Sequence, residues 1–245
     1  MKNFFRTFLF LFIKIIFKLF IIDVMVNQNN SKDLAILVLV GGKSTRFGTE
    51  KAVIELLGKP LILHQIETLS KFDQDIFLVA HSEEQIFHYR KEIEFPKVVT
   101  FIVDDRSMFH HPKMYKPMLG IFSGFQELSR ANFKKAFLLS CDMPLIRPEV
   151  IDLMIKEAEG YECVIPRWKN GFLEPYLAIY PVEKGFQKAK EILKNENYGL
   201  LNLIDQNWKT NYVSVEEKIQ PLDKNLVSLI NIKAPIDLVK LSKLF

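Results

Sequence analysis

A glycine-rich turn directly after an apolar run is the first place where this sequence could bind a charged ligand. Residues 37–52 are LVLVGGKSTRFGTEKA, and Gly41 and Gly42 stand where the apolar run ends. Glycine lets the backbone approach a ligand closely and turn its N–H groups toward phosphate oxygens, whose charge Arg46 and Lys51 would offset. The spacing matches neither a P-loop nor the dinucleotide-binding glycine pattern. We therefore predict a nucleotide-phosphate turn of another kind, with a structural loop as the alternative.

An aspartate in the segment FLLSCDMPLI, residues 137–146, is the second candidate. Asp142 follows an apolar strand, which would place its carboxylate at the carboxyl edge of the sheet, where open α/β sheets bind ligands. A carboxylate there suits Mg²⁺, which proteins bind through one or two carboxylates together with substrate phosphates. We predict that Asp142 holds Mg²⁺; the alternative is that it caps the helix near Pro148 or holds a turn. Cys141 is predicted to be a buried apolar residue, because no histidine stands beside it.

Two further segments carry side chains that could face a substrate. The run FIVDD ends another strand on Asp104 and Asp105, either of which could hold a ribose hydroxyl or the metal. After the loop 106–116, a helix follows in which Gly120 and Gly124 would allow close approach to the sheet. The aromatic-rich segment WKNGFLEPYLAIY, beginning at residue 168, could line a substrate cleft. Its alternative is a β-hairpin that packs these aromatic rings in the core.

The elements that must position these residues alternate in type along the chain. Short apolar runs predict strands at residues 34–40, 76–80, 98–103, 136–140, 163–165, 176–180, 212–215 and 227–230. Helical spacing of apolar residues predicts helices at 61–70, 83–92, 119–130 and 183–194, with two more that begin after Pro148 and at Pro235. This order predicts right-handed βαβ crossovers in a Rossmann-like, three-layer α/β/α fold with a mostly parallel central sheet.

Length, charge and cysteine content narrow the class of protein. The 245 residues, 49% hydrophobic and 25% charged, suit one α/β domain, which we place at residues 32–245 because no repeat, linker or second core is present. The net charge is +4, and four basic residues and one acidic residue in the first 24 supply +3 of it. The residues after position 24 are therefore nearly neutral overall. They offer no basic surface for sequence-independent nucleic-acid binding. Two distant cysteines, Cys141 and Cys163, suit an intracellular protein with free thiols.

Residues 1–31 form a hydrophobic extension outside this domain. The stretch FFRTFLFLFIKIIFKLFII has the length of a membrane helix, but its basic residues gather on one side, as in an amphipathic anchor that lies in the membrane surface. A secretory signal fits less well, because charges interrupt the apolar stretch and no small-residue cleavage site follows. The competing hypothesis is a mis-assigned start with translation beginning at Met25, just before a polar lead-in. A native peptide from residues 7–14 would exclude the mis-assigned start.

Five ordered motifs together resemble the molybdenum cofactor guanylyltransferases, within the wider group of MobA-like nucleotidyltransferases. The resemblance spans residues 34–245. The family's opening pattern is approximately LAGGxSxRMGxDKA, and its later patterns include GPLAG, CDxP and NINTPEDL. The matching segments here are 39–52, GKPLILH at 58–64, KPMLG at 116–120, CDMP at 141–144 and NIKAPIDL at 231–238. The sequence departs from the family at Val40, at Lys116 and in the loop from Arg106 to Tyr115, which is longer than usual.

The resemblance implies a nucleotidyltransferase fold and an Mg²⁺-dependent transfer of GMP from GTP to the molybdopterin cofactor. It implies that the backbones of Leu39, Val40 and Gly41 meet the nucleotide. It further implies that Lys51 binds the base or the phosphates, and that the aspartate of the third strand, best matched by Asp105, assists nucleotide recognition. The carboxylate of the CDxP motif would hold the metal. A molybdenum-inserting protein is a plausible partner of such an enzyme.

Two other functions stay open at the level of the sequence. The same fold could transfer a cytidylyl group to molybdopterin, or a nucleotide to a sugar or alcohol phosphate, and the triphosphate that the protein selects distinguishes these reactions. A non-catalytic nucleotide-binding protein, held at a membrane by its first 24 residues, would bind without releasing pyrophosphate. We expect a cytoplasmic enzyme, with membrane contact only if residues 1–24 are translated.

Overall fold

The computed structural model describes residues 32–41, 47–107 and 117–241. Within these residues nine strands are present: β1 (Lys32–Leu39), β2 (Glu55–Leu56), β3 (Lys59–Pro60), β4 (Asp75–Ala80), β5 (Val99–Val103), β6 (Phe133–Ser140), β7 (Cys163–Arg167), β8 (Leu177–Pro181) and β9 (Thr210–Ser214). Seven of them form the central sheet in the order β5-β4-β1-β6-β8-β7-β9. The remaining two, β2 and β3, form a separate small hairpin.

Most strands of the sheet run in one direction, as predicted. Strand β4 pairs in parallel with both β1 and β5, and β7 pairs in parallel with β9. Strand β8 is antiparallel to its neighbours β6 and β7. A short connection rather than a crossover helix joins β7 to β8, which permits the antiparallel pairing. The aromatic-rich segment from residue 168 onward is therefore a hairpin-like connection.

Helices cover both faces of the sheet, so the predicted three-layer architecture is confirmed. The helices are α1 (Leu61–Leu69), α2 (Glu83–Glu92), α3 (Pro117–Arg130), α4 (Pro148–Glu157), α5 (Val182–Lys194) and α6 (Pro235–Leu241). One apolar core joins α1, α2 and α4 to one face, and a second joins α3 and α5 to the other. Alternate residues of β1, such as Val38 and Leu39, enter opposite cores. A strand buried on both faces reads as a continuous apolar run, which explains the LVLV sequence.

Close packing of α3 on the sheet depends on a glycine, as predicted. A Cβ atom at Gly124 would lie 2.6 Å from Cδ2 of Leu37, far inside van der Waals contact. A side chain at this position would require the Leu37 side chain or the helix to shift. The glycine thus permits the close contact between α3 and β1.

The carboxyl ends of the central strands are joined by backbone hydrogen bonds. The N–H of Cys141, directly after β6, donates to the carbonyl oxygen of Leu39 at the end of β1 (3.1 Å). The N–H of Asp104, directly after β5, donates to Ala80 at the end of β4 (2.9 Å). The loops that carry the candidate residues therefore leave the sheet at one common edge.

Some predicted elements differ from the observed ones. The strand predicted at 227–230 is wrong: Val227–Leu229 is a turn of 3-10 helix. The reason is a local polar contact, because the N–H of Ser228 donates to the buried carboxylate of Asp223 (2.8 Å), five residues earlier, instead of to a strand. The β2–β3 hairpin was not predicted, since Leu57 holds a left-handed conformation (φ 53°) that its residue type does not suggest.

Two predictions lie outside the described residues. The hydrophobic extension 1–31 is one, so its nature and the domain boundary at residue 32 stay predictions. The other concerns the segments 42–46 and 108–116, so the roles predicted for Gly42 and Arg46 also stay predictions. In the part of the chain that the structure describes, no helix combines the length and the apolar character needed to cross a membrane.

Candidate active site

Asp142 lies in a tight turn directly after β6. The N–H of Met143 donates to the carbonyl oxygen of Ser140 (3.1 Å), which closes the turn around Cys141 and Asp142. The backbone carbonyl of Asp142 accepts a hydrogen bond from the N–H of Ile232 (2.8 Å), in the C-terminal segment. Cys141 is buried and its thiol pKa is raised by burial, so it is not a nucleophile at neutral pH. The turn presents one carboxylate at the carboxyl edge of the sheet.

Lys51 and Asp142, which are 91 positions apart in the sequence, form an ion pair. The Nζ atom of Lys51 lies 2.9 Å from Oδ2 of Asp142. Both side chains are largely sheltered, with exposed fractions of 27% for the lysine and 15% for the aspartate. Lys51 begins a short turn of 3-10 helix that ends at Val53, which brings the loop back toward the sheet after the glycine-rich turn. Two residues predicted independently for phosphate and metal binding therefore meet.

The Asp142 carboxylate fits a divalent cation. Its second oxygen, Oδ1, is buried and has no hydrogen-bond partner among the described residues. A buried carboxylate oxygen without a partner is costly unless a cation or donor occupies the space beside it. The described ranges contain no cluster of three metal-binding side chains. Such a site suits Mg²⁺, which completes its coordination with water and substrate phosphates rather than with a protein cage.

The first part of the glycine-rich turn is held tightly against the neighbouring strand. The N–H groups of Val40 and Gly41 both donate to the carbonyl oxygen of Val79 (3.0 Å each). A Cβ atom at Gly41 would lie only 3.2 Å from the backbone nitrogen of His81, so this close approach favours glycine. These two N–H groups are thus engaged within the protein, and their predicted contact with nucleotide stays a prediction. Gly42 and Arg46 lie outside the described residues.

A buried polar network supports this turn from α2 and was not predicted. The side-chain amide of Gln85 donates to the hydroxyl of Tyr89 (2.8 Å), and that hydroxyl donates to the carbonyl oxygen of Val40 (3.2 Å). The amide oxygen of Gln85 accepts from the backbone N–H of His81 (2.9 Å) and lies 2.7 Å from the Nδ1 atom of its ring. Burial raises the pKa of Tyr89, so the phenol stays neutral. The only sequence signal was a glutamine and a tyrosine four residues apart on one helix face.

The paired aspartates after β5 have different environments. Asp105 accepts a hydrogen bond from the N–H of Ser107 (3.0 Å), and this contact with Ser107 lowers the pKa of the carboxyl. Asp104 is largely buried, and burial raises the pKa of its carboxyl to about 6, although the charge of Arg106 opposes the shift. Asp104 also lies near Gly120, at the beginning of α3. The two candidates from the sequence thus differ in the structure: Asp104 is largely buried, whereas Asp105, which the resemblance favours, is more accessible.

Replacing Asp104 with asparagine should stabilise the ligand-free protein in a pH-dependent way. Because the pKa is about 6 when folded and lower when unfolded, this carboxyl stabilises the protein most below about pH 4 and loses that effect as the pH rises through 6. The gain in unfolding free energy should be about 1 kcal/mol at pH 4.5 and about 3 kcal/mol at pH 7.5. Thermal unfolding of both proteins at the two pH values measures it. Equal shifts at both pH values would contradict the buried, charged state of Asp104.

The connection between β7 and β8 extends this edge of the sheet. Tyr176 is largely buried, and burial followed by the charge of Asp142 raises the pKa of Tyr176 to about 12. The ring N–H of Trp168 donates to the carboxylate of Glu174 (2.7 Å), whose pKa is raised by burial. Beyond them lies an open cavity of about 730 Å³, lined in part by Trp168, Gly171 and Tyr212. The segment is thus both packed against the core and next to a cleft.

This architecture is an open α/β fold with a mostly parallel sheet, a class in which ligands bind at the carboxyl edge of the strands. A sequence model of the MobA-like NTP transferase domain matches residues 36–210. The chain belongs to this family and is a nucleotidyltransferase, so the predicted resemblance is confirmed.

Curated relatives match the chain over most of both lengths. A protein of Thermococcus sibiricus is 34% identical over 210 residues, which cover 84% of this chain and 95% of the relative. A protein of Methanosarcina mazei is 30% identical over 212 residues, or 82% and 87% of the two chains. Both relatives carry the name "probable molybdenum cofactor guanylyltransferase".

Solved structures share the fold. Molybdopterin-guanine dinucleotide biosynthesis protein A from Archaeoglobus fulgidus superposes with a TM-score of 0.68 at 28% identity, over 86% of this chain and 97% of that one. The 4-diphosphocytidyl-2C-methyl-D-erythritol synthase of Anaerococcus prevotii superposes with a TM-score of 0.59 at 14% identity, over 87% and 96% of the two chains. The second likeness concerns the fold alone.

Proposed function

We propose that this protein transfers a guanylyl group from GTP to the terminal phosphate of the molybdopterin cofactor and releases pyrophosphate. The observation that carries the proposal is the match to relatives named as guanylyltransferases along nearly their whole length. The Lys51–Asp142 pair supports it, because it supplies a cation and a metal-binding carboxylate at the edge of the sheet where a nucleotide binds.

The reaction needs positioning and charge stabilisation more than covalent chemistry from the protein. An oxygen of the cofactor's phosphate attacks the α-phosphorus of GTP in line, and the bond from the α-phosphorus to the bridging oxygen of the β-phosphate breaks. Mg²⁺ held by Asp142 would supply positive charge to the phosphate oxygens. Lys51, whose ammonium group lies beside the Asp142 carboxylate, would bind the phosphates, and Arg46 would add a second cation. The glycine-rich turn at Gly41 and Gly42 would let the phosphates approach the backbone closely.

The remaining expectations are part of the same proposal. Mg²⁺ is the proposed metal, and its support is the unpartnered Oδ1 atom of Asp142. A cytoplasmic location is supported by the two free, buried cysteines. A molybdenum-inserting protein as partner follows from the proposed second substrate, since the cofactor must be handed to or from such an enzyme.

The selection of the triphosphate tests the proposal. Pyrophosphate release should be measured with GTP, CTP, ATP and UTP in the presence of Mg²⁺, each with and without the molybdopterin cofactor. We expect release with GTP and cofactor together, and release at least about tenfold slower with the other three triphosphates. Release with CTP would indicate cytidylyl transfer, and release only with a sugar or alcohol phosphate would indicate the related transferases. Nucleotide binding without any release would favour the non-catalytic alternative.

A further inference from the structure

A glutamine in the core contacts the turn that carries Asp142. Gln65 lies on α1 and is completely buried, on the same apolar face of the helix as Ile62 and Ile66. Its side-chain Nε2 atom donates to the backbone carbonyl oxygens of Ser140 and Met143, at 3.1 Å each. These two carbonyls flank Cys141 and Asp142 on both sides. One amide group therefore binds the first and the last residue of the turn.

The orientation of this amide follows from its neighbours. Both contacts are carbonyl oxygens, so only the NH₂ group of the glutamine can face them. The amide oxygen then points into the core, where Oε1 is buried without a partner among the described residues. A buried acceptor without a partner costs about 1–3 kcal/mol. A leucine or methionine would satisfy the apolar face of α1 without that cost, so packing does not account for a glutamine here.

We propose that Gln65 is a positioning residue for Asp142, acting through the backbone of the Ser140–Met143 turn. The turn is held on one side by Gln65 and on the other by the N–H of Ile232, which donates to the Asp142 carbonyl. With both contacts present, the Asp142 carboxylate is held in one orientation for a metal-bound triphosphate. This inference rests on the proposed function, in which Asp142 holds the metal.

The test compares substitutions of Gln65 with the same substitutions at a matched glutamine. Gln74 precedes β4, at the opposite end of that strand from the carboxyl edge, and its Oε1 atom is likewise buried without a partner. Gln65→Met removes both donated hydrogen bonds, and Gln65→Glu keeps the shape but turns a carboxylate toward two carbonyls. Gln74→Met and Gln74→Glu are the controls. Binding of Mn²⁺, measured by electron paramagnetic resonance, and steady-state kinetics with GTP and cofactor are recorded for each variant.

We expect both Gln65 variants to weaken Mn²⁺ binding and to lower kcat by roughly 10–100-fold, the effect of losing a group that orients a metal ligand. The KM for GTP should change less than threefold, and Gln65→Glu should be the more affected variant. The Gln74 variants should match the unmodified protein in both measurements. Equal Mn²⁺ affinity and kcat in a folded Gln65 variant and the unmodified protein would overturn the proposal.

A measurement on the unmodified protein covers the case in which a Gln65 variant does not fold. With ¹⁵N-labelled glutamine, the side-chain resonances of Gln65 should shift when Mg²⁺ is added, whereas those of Gln74 should not. An unchanged Gln65 resonance at saturating Mg²⁺ would overturn the proposal. The Asp142→Asn variant distinguishes a failure of the proposed metal role of Asp142 from a failure of the positioning role of Gln65. If it binds Mn²⁺ and turns over normally, the proposed metal role fails, whereas a defect there with normal Gln65 variants refutes only the positioning role.

Discussion

Replacing Asp142 with asparagine should lower turnover by roughly 10²–10³-fold and leave the fold intact. Asparagine keeps the size of the side chain but removes the negative charge that would hold Mg²⁺, and losing one group that stabilises transition-state charge has an effect of this size. The fold should tolerate the change, since the backbone contacts of the turn to Gln65 and Ile232 do not involve the carboxylate. Pyrophosphate release at saturating GTP and cofactor measures the loss, and thermal unfolding checks the fold.

The matched control is another aspartate in an ion pair. Asp33, at the beginning of β1, lies 2.9 Å from Nζ of Lys134 and is far more exposed than Asp142. Asp33→Asn makes the same chemical change at the opposite edge of the sheet, and its turnover should equal that of the unmodified protein. Normal turnover in Asp142→Asn would show that this carboxylate does not hold the catalytic metal.

Replacing Lys51 with methionine should strengthen Mn²⁺ binding to the nucleotide-free protein but lower turnover with GTP and cofactor. In the nucleotide-free protein the ammonium group of Lys51 occupies one oxygen of the Asp142 carboxylate, so the lysine competes with a metal ion for the same negative charge. Two cations that compete for one carboxylate weaken each other's binding, so removal of the ammonium group should leave the carboxylate free for the metal ion. We expect Mn²⁺ to bind roughly tenfold more tightly to Lys51→Met without nucleotide, and kcat with GTP and cofactor to fall by roughly 10²-fold or more.

Lys59 provides the control for this experiment. Its Nζ atom lies 2.6 Å from a carboxylate oxygen of Glu67, so Lys59→Met also removes an ion-paired lysine, but one whose partner is on α1 and not in the Asp142 turn. Mn²⁺ affinity and turnover should both be unchanged in that variant. Weaker Mn²⁺ binding to Lys51→Met would mean that the lysine supports the metal site rather than competing for it.

The architecture could be predicted because the strands of the central sheet can be recognised from runs of apolar residues in the sequence. The alternation of β1 between two apolar cores requires an unbroken apolar run, and the sequence has one from Ala35 to Val40. Gly124 could be assigned a packing role for a similar reason, since a helix glycine that faces a sheet permits close approach. The strand predicted at 227–230 was wrong because the apolar residues of this segment resemble those of a strand. Its conformation is decided by the hydrogen bond from the N–H of Ser228 to the carboxylate of Asp223.

A site residue could be predicted only where its side-chain chemistry and its position directly after a strand indicated the same role. Asp142 follows a strand, so its place at the carboxyl edge follows from the fold. The contact of Lys51 with Asp142 joins residues 91 positions apart, and no spacing rule could show it. Gln65 and Gln85 were missed because buried helix positions are expected to be apolar. The sequence pattern does not show that Gln65 contacts two backbone carbonyls or that Gln85 contacts the Tyr89 hydroxyl and His81.

Following the phosphorus atoms of GTP tests most directly whether this protein transfers a guanylyl group to the molybdopterin cofactor. Two reactions would be run with Mg²⁺ and the molybdopterin cofactor, one with GTP labelled with ³²P at the α-phosphate and one with GTP labelled at the γ-phosphate. The proposed reaction places the α-label in the pterin product and the γ-label in pyrophosphate. Transfer of the γ-label to the pterin product, or no cofactor-dependent change in either label, would contradict guanylyl transfer by this protein.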